Sequence, residues 1–421
     1  MSIYCGIDWA SDHHDVAVVD EHGTPIVTRR IANDAAGVSQ LLETLHDAGR
    51  GEADVPVAIE TDHGLLVASM VAAGLPVYAI NPLAAARYRT RHAVSGAKAD
   101  VTDAIVLANI VRTDLHAHRP LPADSELAKA IRVLARAHQD AVWSRIAMGN
   151  KITALLGEYF PAAVAMVAML SGGLTRCDVR TILRRAPTPT IAATLTPARL
   201  RGLLVKAGRE RYIATHAASL RTILSTKHLR QPVMVEEAMA VHLLALLDQY
   251  DAAVIAEQRL AAAAAERFNE HPDAPIITSF PGLSTTSGAR LLGEIGDDRA
   301  RFADARGLKA YAGAAPVTRA SGKKTVITHR RIKNNRLESV GTFWTLASLT
   351  ASPGARAHYD RRRATGDWNR AAQRNLYNKF LGQLHTCLQS RTLYDEARAF
   401  GHQQRSIEHR SDQLIVEMAS A

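Results

Sequence analysis

The chain is poor in cysteine and short of acids, and it has no long apolar run. Of 421 residues, three are cysteine, and Cys5, Cys177 and Cys387 stand far apart. Neither a disulfide framework nor a zinc spacing can be drawn from them, which fits a reducing compartment and a cytoplasmic protein. No apolar stretch approaches the ~20 residues that cross a bilayer. The opening MSIYCGID lacks the basic start and apolar core of a signal peptide. No membrane partner is therefore expected, and no internal repeat is visible. Asp and Glu number 41 against 51 Lys and Arg, a formal net charge of +10. That sign favours a polyanionic partner, with nucleic acid ahead of a membrane surface. What is present is ample apolar material, 47% of residues, enough for real cores. At about 100–200 residues per domain the length predicts two or three domains.

The pattern along the chain divides accordingly. Residues 1–124 alternate strand-like and helix-like segments. YCGIDWA, VAVVD, VPVAIET and PVYAINP read as strands, and VSQLLETLHDAG, LLVASMVAAG and ADVTDAIVLANIVRT as helices. The order predicts an α/β domain on a mixed sheet. Residues 125–270 carry two long helical patterns, beginning at ELAKAIRVLARAH and EEAMAVHLLALLD, and predict an antiparallel coiled-coil-like arm or an ordinary bundle. The Pro-rich APTPTIAATLTP between them reads as a turn or linker. Residues 271–401 form a mainly helical third unit, and 402–421 a polar tail.

Carboxylates stand out in the first domain. Asp8 follows YCGI and Glu60 follows VAI, both at predicted strand ends. Asp100 and Asp103 lie three apart where a helix begins, so they share a face. Four such groups converging at one sheet end would repel one another without a cation. Hard oxygen donors suit Mg²⁺ or Mn²⁺, the metals of phosphodiester chemistry. Taken singly, each has a plainer use: Asp8 as a turn cap, Asp100 as a helix cap, Asp103 as a partner of the helix dipole. Glu60 is harder to explain away, because a carboxylate beside an apolar strand needs a partner. Asp12, Asp15 and Asp62 rank below these four, and His13, His14 and His63 read as surface residues. A strand-Asp-turn-strand opening also begins actin-like ATPases, but no second glycine-rich phosphate loop is found.

The third unit opens with TSFPGLSTTSGARLLGEIGD, which fits a helix-hairpin-helix. In such a motif the turn at Gly282 and Ser284 brings backbone N–H groups to a phosphate; a plain pair of helices has the same pattern. Then comes a basic stretch, Arg319, Lys323, Lys324, Arg330, Arg331, Lys333 and Arg336, with no acid among them. Gly313 and Pro316 break the helix before it and leave Ser321-Gly322 in a loop amid positive charge. The residues alone favour a phosphate-binding loop in which Ser321 only donates a hydrogen bond. The other reading makes it a nucleophile whose flanking cations hold a phosphate.

These blocks resemble a known family. GIDWASDHHDVAVVD, AIET and SGAKADVTDAIVLA in the first domain are similar to bacterial insertion-sequence transposases that join a DEDD domain to a serine transposase domain, the bridge-RNA-guided recombinases. So are ITSFPGLSTTSGARLLGEIGD, FADARGLKAYAGAAPVTRASGKK and RRIKNNRLES in the third unit. The resemblance implies a ribonuclease H-like, resolvase-like N-terminal fold with Asp8, Glu60, Asp100 and Asp103 as its catalytic metal ligands. It implies Ser321 as the residue that becomes linked to DNA. The implied partners are target and donor DNA, a structured noncoding bridge RNA, and further copies of the chain as a dimer or tetramer. A metal-dependent junction endonuclease, or an inactive nucleic-acid-binding protein, is the alternative. The chain departs from the family pattern in its long middle and in Leu337-Glu338, where a Leu-Arg pair is expected.

Overall fold

A computed structural model of the chain describes residues 2–49, 54–92, 100–322 and 324–401. By internal contacts the chain falls into two compact units. The first is Met1–Asp124 with the short segment Asp298–Arg301; the second is Ser125–Asp297 with Phe302–Ala421.

The first unit is built on a five-stranded sheet. Its elements run β1 (Tyr4–Trp9), β2 (His13–Val19), β3 (Pro25–Ala32), α1 (Ala35–Ala48), β4 (Val57–Ile59), α2 (Leu65–Ala72), β5 (Val77–Ala79), α3 (Pro82–His92) and α4 (Asp100–Asp114). Strand order is β3-β2-β1-β4-β5, antiparallel through β1 and parallel from β1 to β5. The mixed sheet is as the pattern predicts, but β3 was not anticipated. Its residues are mostly exposed, and Arg29-Arg30 interrupt any apolar alternation. It is a charged edge strand, whose exposed charges discourage pairing with other chains. Cys5, Ile7, Val57 and Ile59 pack with Leu41 and Met70 under α1 and α2. Ala58, Tyr78 and Ile80 pack with Leu107, Ile110 and Val111 of α4. The period-2 alternation of strands thus sends one set of residues to each helical layer.

The second unit is almost wholly helical. Helix α5 (Glu126–Tyr159) is followed by five shorter ones, α6 (Pro161–Met169), α7 (Cys177–Arg185), α8 (Pro189–Ala193), α9 (Pro197–Lys206) and α10 (Ile213–Ser225), then by α11 (Val233–Asn269). Helices α5 and α11 pair antiparallel. Ile131 shares a core with Ala264 and Phe268, while Ile152 and Leu156 share another with Leu243 and Leu247. The expected arm is therefore half enclosed, because α6–α10 wrap one end of the pair into a bundle. The Pro-rich stretch is not a linker: Thr188 and Thr196 each cap a helix whose first residue is the following proline. Thr-Pro supplies the cap oxygen and a φ already suited to the helix. By length and composition alone, α11 is apolar enough to cross a membrane, yet Leu243, Leu247 and Tyr250 are buried in the bundle core.

The far end of the α5–α11 pair enters the core of the remaining elements. These are α12 (Ala274–Thr278), α13 (Thr285–Ile295), α14 (Ala305–Tyr311), the hairpin β6 (Val317–Ser321) and β7 (Lys324–Thr328), α15 (Asn335–Ala351), α16 (Pro353–Ala364) and α17 (Asn369–Ser390). Trp344 is fully buried there, stacked on Phe380 at 5.0 Å between centroids and edge-on to Phe280 at 5.6 Å. The polar tail 402–421 lies outside the described residues.

Candidate functional site

The carboxylates of the first unit are positioned by one glycine. A Cβ at Gly6 would overlap the Ala104 carbonyl oxygen and the Ala108 amide nitrogen, so its absence lets α4 lie directly on β1. Asp8, two residues on, faces the same layer. Gly6 and Ile7 of β1 pair in parallel with Ala58 and Ile59 of β4. The next positions, Asp8 and Glu60, therefore end neighbouring strands on the α4 side. Asp103 precedes Ala104 on that helix and is 8% exposed. Asp100 opens α4, and its side chain lies outside the described residues.

Among the described residues, no three His, Cys, Asp or Glu side chains come close enough together to hold a metal ion. Arg89 of α3 lies against Asp103. Its Nη2 lies 2.7 Å from Asp103 Oδ1. The pairing is one of charge only: that oxygen and Arg89 Nε are both buried without a hydrogen-bond partner among the described residues. Hard carboxylate oxygens are the donors Mg²⁺ or Mn²⁺ takes. The set fits such an ion by donor type.

In the second unit the serine lies on a hairpin, not in the open loop expected. Ser321 pairs with Lys324 at the tip of β6–β7, and Gly322 turns the chain with φ +56°. Ser321 is exposed, as are Arg319 and Arg331, while Arg330 is half-buried. Lys323 and the Lys324 side chain lie outside the described residues. Two of the basic residues are committed within the fold. Lys333 Nζ is 2.7 Å from Glu338, the position where the chain departs from the family pattern. Arg336 grips Asp140 of α5 through Nη2 at 2.8 and 3.0 Å and lies 5.0 Å over the Trp143 ring.

Gly282 and Ser284 also have structural work. Gly282 adopts φ +84°, and a Cβ there would come 2.6 Å from Ser348 N and 2.9 Å from Trp344 O of α15. Ser284 caps α13 in a reciprocal box: its Oγ accepts from Ser287 N at 3.3 Å, and Ser287 Oγ accepts from Ser284 N at 2.8 Å.

A family model described as transposase, the DEDD domain of the IS110 type, matches residues 5–161. A second, described as transposase of the IS116/IS110/IS902 family, matches residues 274–360. The mini-circle putative transposase for IS117 from Streptomyces coelicolor is 57% identical over 401 residues, covering 95% of this chain and 97% of that protein. The chain belongs to the IS116/IS110/IS902 family of transposases. The IS900 uncharacterized 42 kDa protein of Mycobacterium paratuberculosis is 28% identical, and covers 94% of this chain and 98% of its own length. The IS116 uncharacterized 44.8 kDa protein of Streptomyces clavuligerus is 27% identical over 94% and 96%.

Several features of this transposase's two regions were not read from sequence. Arg89 on Asp103 is one. Asp15 is another: it stands directly across from Asp8 in the β1–β2 register, and Arg30 on β3 grips it at 3.0 and 2.9 Å. His14, read as a surface residue, is 3% exposed. A further one is the hairpin's anchor. Asn334 accepts from Leu337 N at 2.9 Å, capping α15, and donates to Glu294 at 2.6 Å and the Tyr311 hydroxyl at 2.7 Å. Arg136 holds the same Glu294 at 2.7 and 2.8 Å. Burial alone would raise the Glu294 pKa, but the Arg136 and Asn334 bonds more than offset this and hold it below the ordinary carboxylate range. The doubled Asn in KNNR was the one available signal, as a cap before an apolar run.

Proposed function

We propose that this transposase cuts and rejoins DNA through a covalent link to Ser321. One observation carries the reading. Ser321 is exposed at the tip of a hairpin, and the chain from Arg319 to Ile332 carries Arg319, Lys323, Lys324, Arg330 and Arg331 with no acid. A phosphodiester brought there meets a hydroxyl and an excess of positive charge. Ser321 Oγ attacks phosphorus; the new O–P bond forms as the bond to the departing DNA oxygen breaks. The serine proton is given up to water, and the departing DNA oxygen takes a proton from water. A hydroxyl from a second DNA end then displaces the serine, so strands are exchanged without net hydrolysis.

Mg²⁺ or Mn²⁺ bound by the four acids would supply Lewis-acid charge to the phosphoryl oxygens. Arg319, Arg330, Arg331 and the flanking Lys323 and Lys324 hold the phosphate. The β3-β2-β1-β4-β5 order supports a ribonuclease H-like assignment for the first domain, and the short α12 and α13 support a helix-hairpin-helix. We extend the reading to a bridge RNA that pairs with target and donor DNA, to a homo-oligomer, and to work in a bacterial cytoplasm. Protein contacts would then read backbone and shape while base pairing reads sequence.

The test mixes the protein with RNA transcribed from its flanking noncoding DNA, labelled target and donor DNA, and Mg²⁺. Denaturing gels are run beside Ser321→Ala. A protein-sized DNA adduct formed only with Ser321 is the expected result. Cleavage without an adduct, and indifferent to the serine, would move the assignment to a hydrolytic junction nuclease.

A further inference from the structure

Two cavities flank the base of the hairpin. One, of about 620 Å³, lies between α15 and α17; the other, of about 280 Å³, lies against Arg319, Arg330 and Arg331. His329 lines both, so they lie side by side at that residue. The larger is walled by Arg370 and Arg374 of α17 and by Thr342 and Phe343 of α15. The one acid in these walls, Glu338, is taken by Lys333.

The guanidiniums are not balanced from within. Arg374 is half-buried and makes no hydrogen bond or ion pair among the described residues. Arg370 reaches only Thr342 Oγ1 among them, at 3.5 Å. Arg330 Nε is buried, again with no hydrogen-bond partner among the described residues. Arg330 and Arg374, partly withdrawn from water without a carboxylate, are costly unless an anion arrives from outside, and Arg370 adds an exposed charge. The two volumes together suit a stretch of chain with several phosphates, more than one small anion.

Phe343 adds the second requirement. It is 65% exposed at the cavity wall, while its neighbour Trp344 is fully buried. Core packing does not account for it. A flat apolar ring between arginines stacks on a base, but only on one that is not already stacked within a duplex.

We propose that this trough binds an unpaired nucleotide strand, with phosphates on Arg330, Arg370 and Arg374 and a base against Phe343. The identity of the ligand rests on the strand-transfer reading above. A strand so held would be led along the base of the Ser321 hairpin. Unpaired DNA and unpaired RNA share this chemistry.

The test uses the full chain and short labelled probes of one sequence: single-stranded DNA, single-stranded RNA, and the DNA duplex, with 2-aminopurine in the single strands. Phe343→Ala should weaken single-strand binding about 5–10-fold, abolish the 2-aminopurine fluorescence change, and leave duplex binding as it was. Phe343→Trp should restore both. Arg374→Ala should reduce the slope of log affinity against log salt by about 0.7, and Arg374→Lys should restore it. Whichever single strand loses more to Phe343→Ala is the occupant. Wild-type binding by both alanine variants, with unchanged melting temperatures, overturns the proposal; so does an equal loss for duplex. Ser321-dependent adduct is scored in the same preparations. Adduct with unaltered binding sinks the trough alone, and trough effects without adduct sink the serine chemistry alone.

Discussion

The acidic end of the first unit and the hairpin of the second are built on opposite plans. Asp8, Glu60 and Asp103 are carried by elements with buried backs: Ile7 and Ile59 are 0% exposed, and α4 is pressed onto β1 at Gly6. Ser321 is carried by two strands whose described residues from Thr318 to Ile327 are all exposed. Below that hairpin Asn334 is tied to Glu294, which Arg136 also holds. Core packing fixes the backbone that carries these carboxylates. The serine has no such packed backing among the described residues.

The comparison is broken most directly by adding volume to both places. Gly6→Val should cost about 3 kcal/mol or more, because the obstructing atoms are helix backbone and cannot rotate away. Ala320→Val on the exposed hairpin should change stability by less than about 0.5 kcal/mol. Denaturant midpoints measure both. Similar losses at the two sites would show that the hairpin is as tightly framed as the sheet.

A smaller effect sharpens the electrostatic side. Arg89→Gln leaves Asp103, only 8% exposed, without its counter-charge, and should cost about 2–3 kcal/mol. If the acids take a divalent cation, added Mg²⁺ should raise the melting temperature of this variant more than that of the parent. Equal Mg²⁺ responses would mean that Arg89 does not compete for the site.

Much of the acidic end was legible because strand ends, alternation and an Asp-x-x-Asp helix start are local patterns. Residues 100–114 and 126–159 were read nearly to their observed limits for the same reason. What escaped was non-local. Arg89, Arg30 and Asn334 look like ordinary surface polar residues, and their partners lie 14, 15 and 40 positions away. The commitment of Lys333 and Arg336 to Glu338 and Asp140 was hidden too, since a run of bases reads as free charge until the acids beside it in space are known. Gly282 signalled a turn correctly, but not that α15 lies against it.

Glu294 tests the foundation of the hairpin. Its folded pKa lies below the ordinary value of 4.5. Its stabilisation is therefore complete above that value and is lost as pH falls through the folded one. Glu294→Gln should cost about 2 kcal/mol at neutral pH. The gap between variant and parent should narrow as pH drops from 7 toward 3. A gap independent of pH would show that the amide keeps the Arg136 and Asn334 bonds and that charge contributes nothing.

The smallest change separates cap from contact at Ser284. Its hydroxyl is occupied with Ser287 N, so Ser284→Ala should cost about 1 kcal/mol of stability. Ser284→Asp keeps a cap acceptor, and should recover that loss while placing a negative charge where a helix-hairpin-helix would meet phosphate. If the Asp variant is as stable as the parent yet binds duplex DNA several-fold more weakly, the turn faces nucleic acid. If binding is unchanged, Ser284 serves α13 alone, and the basic hairpin with its trough is the surface on which DNA contact depends.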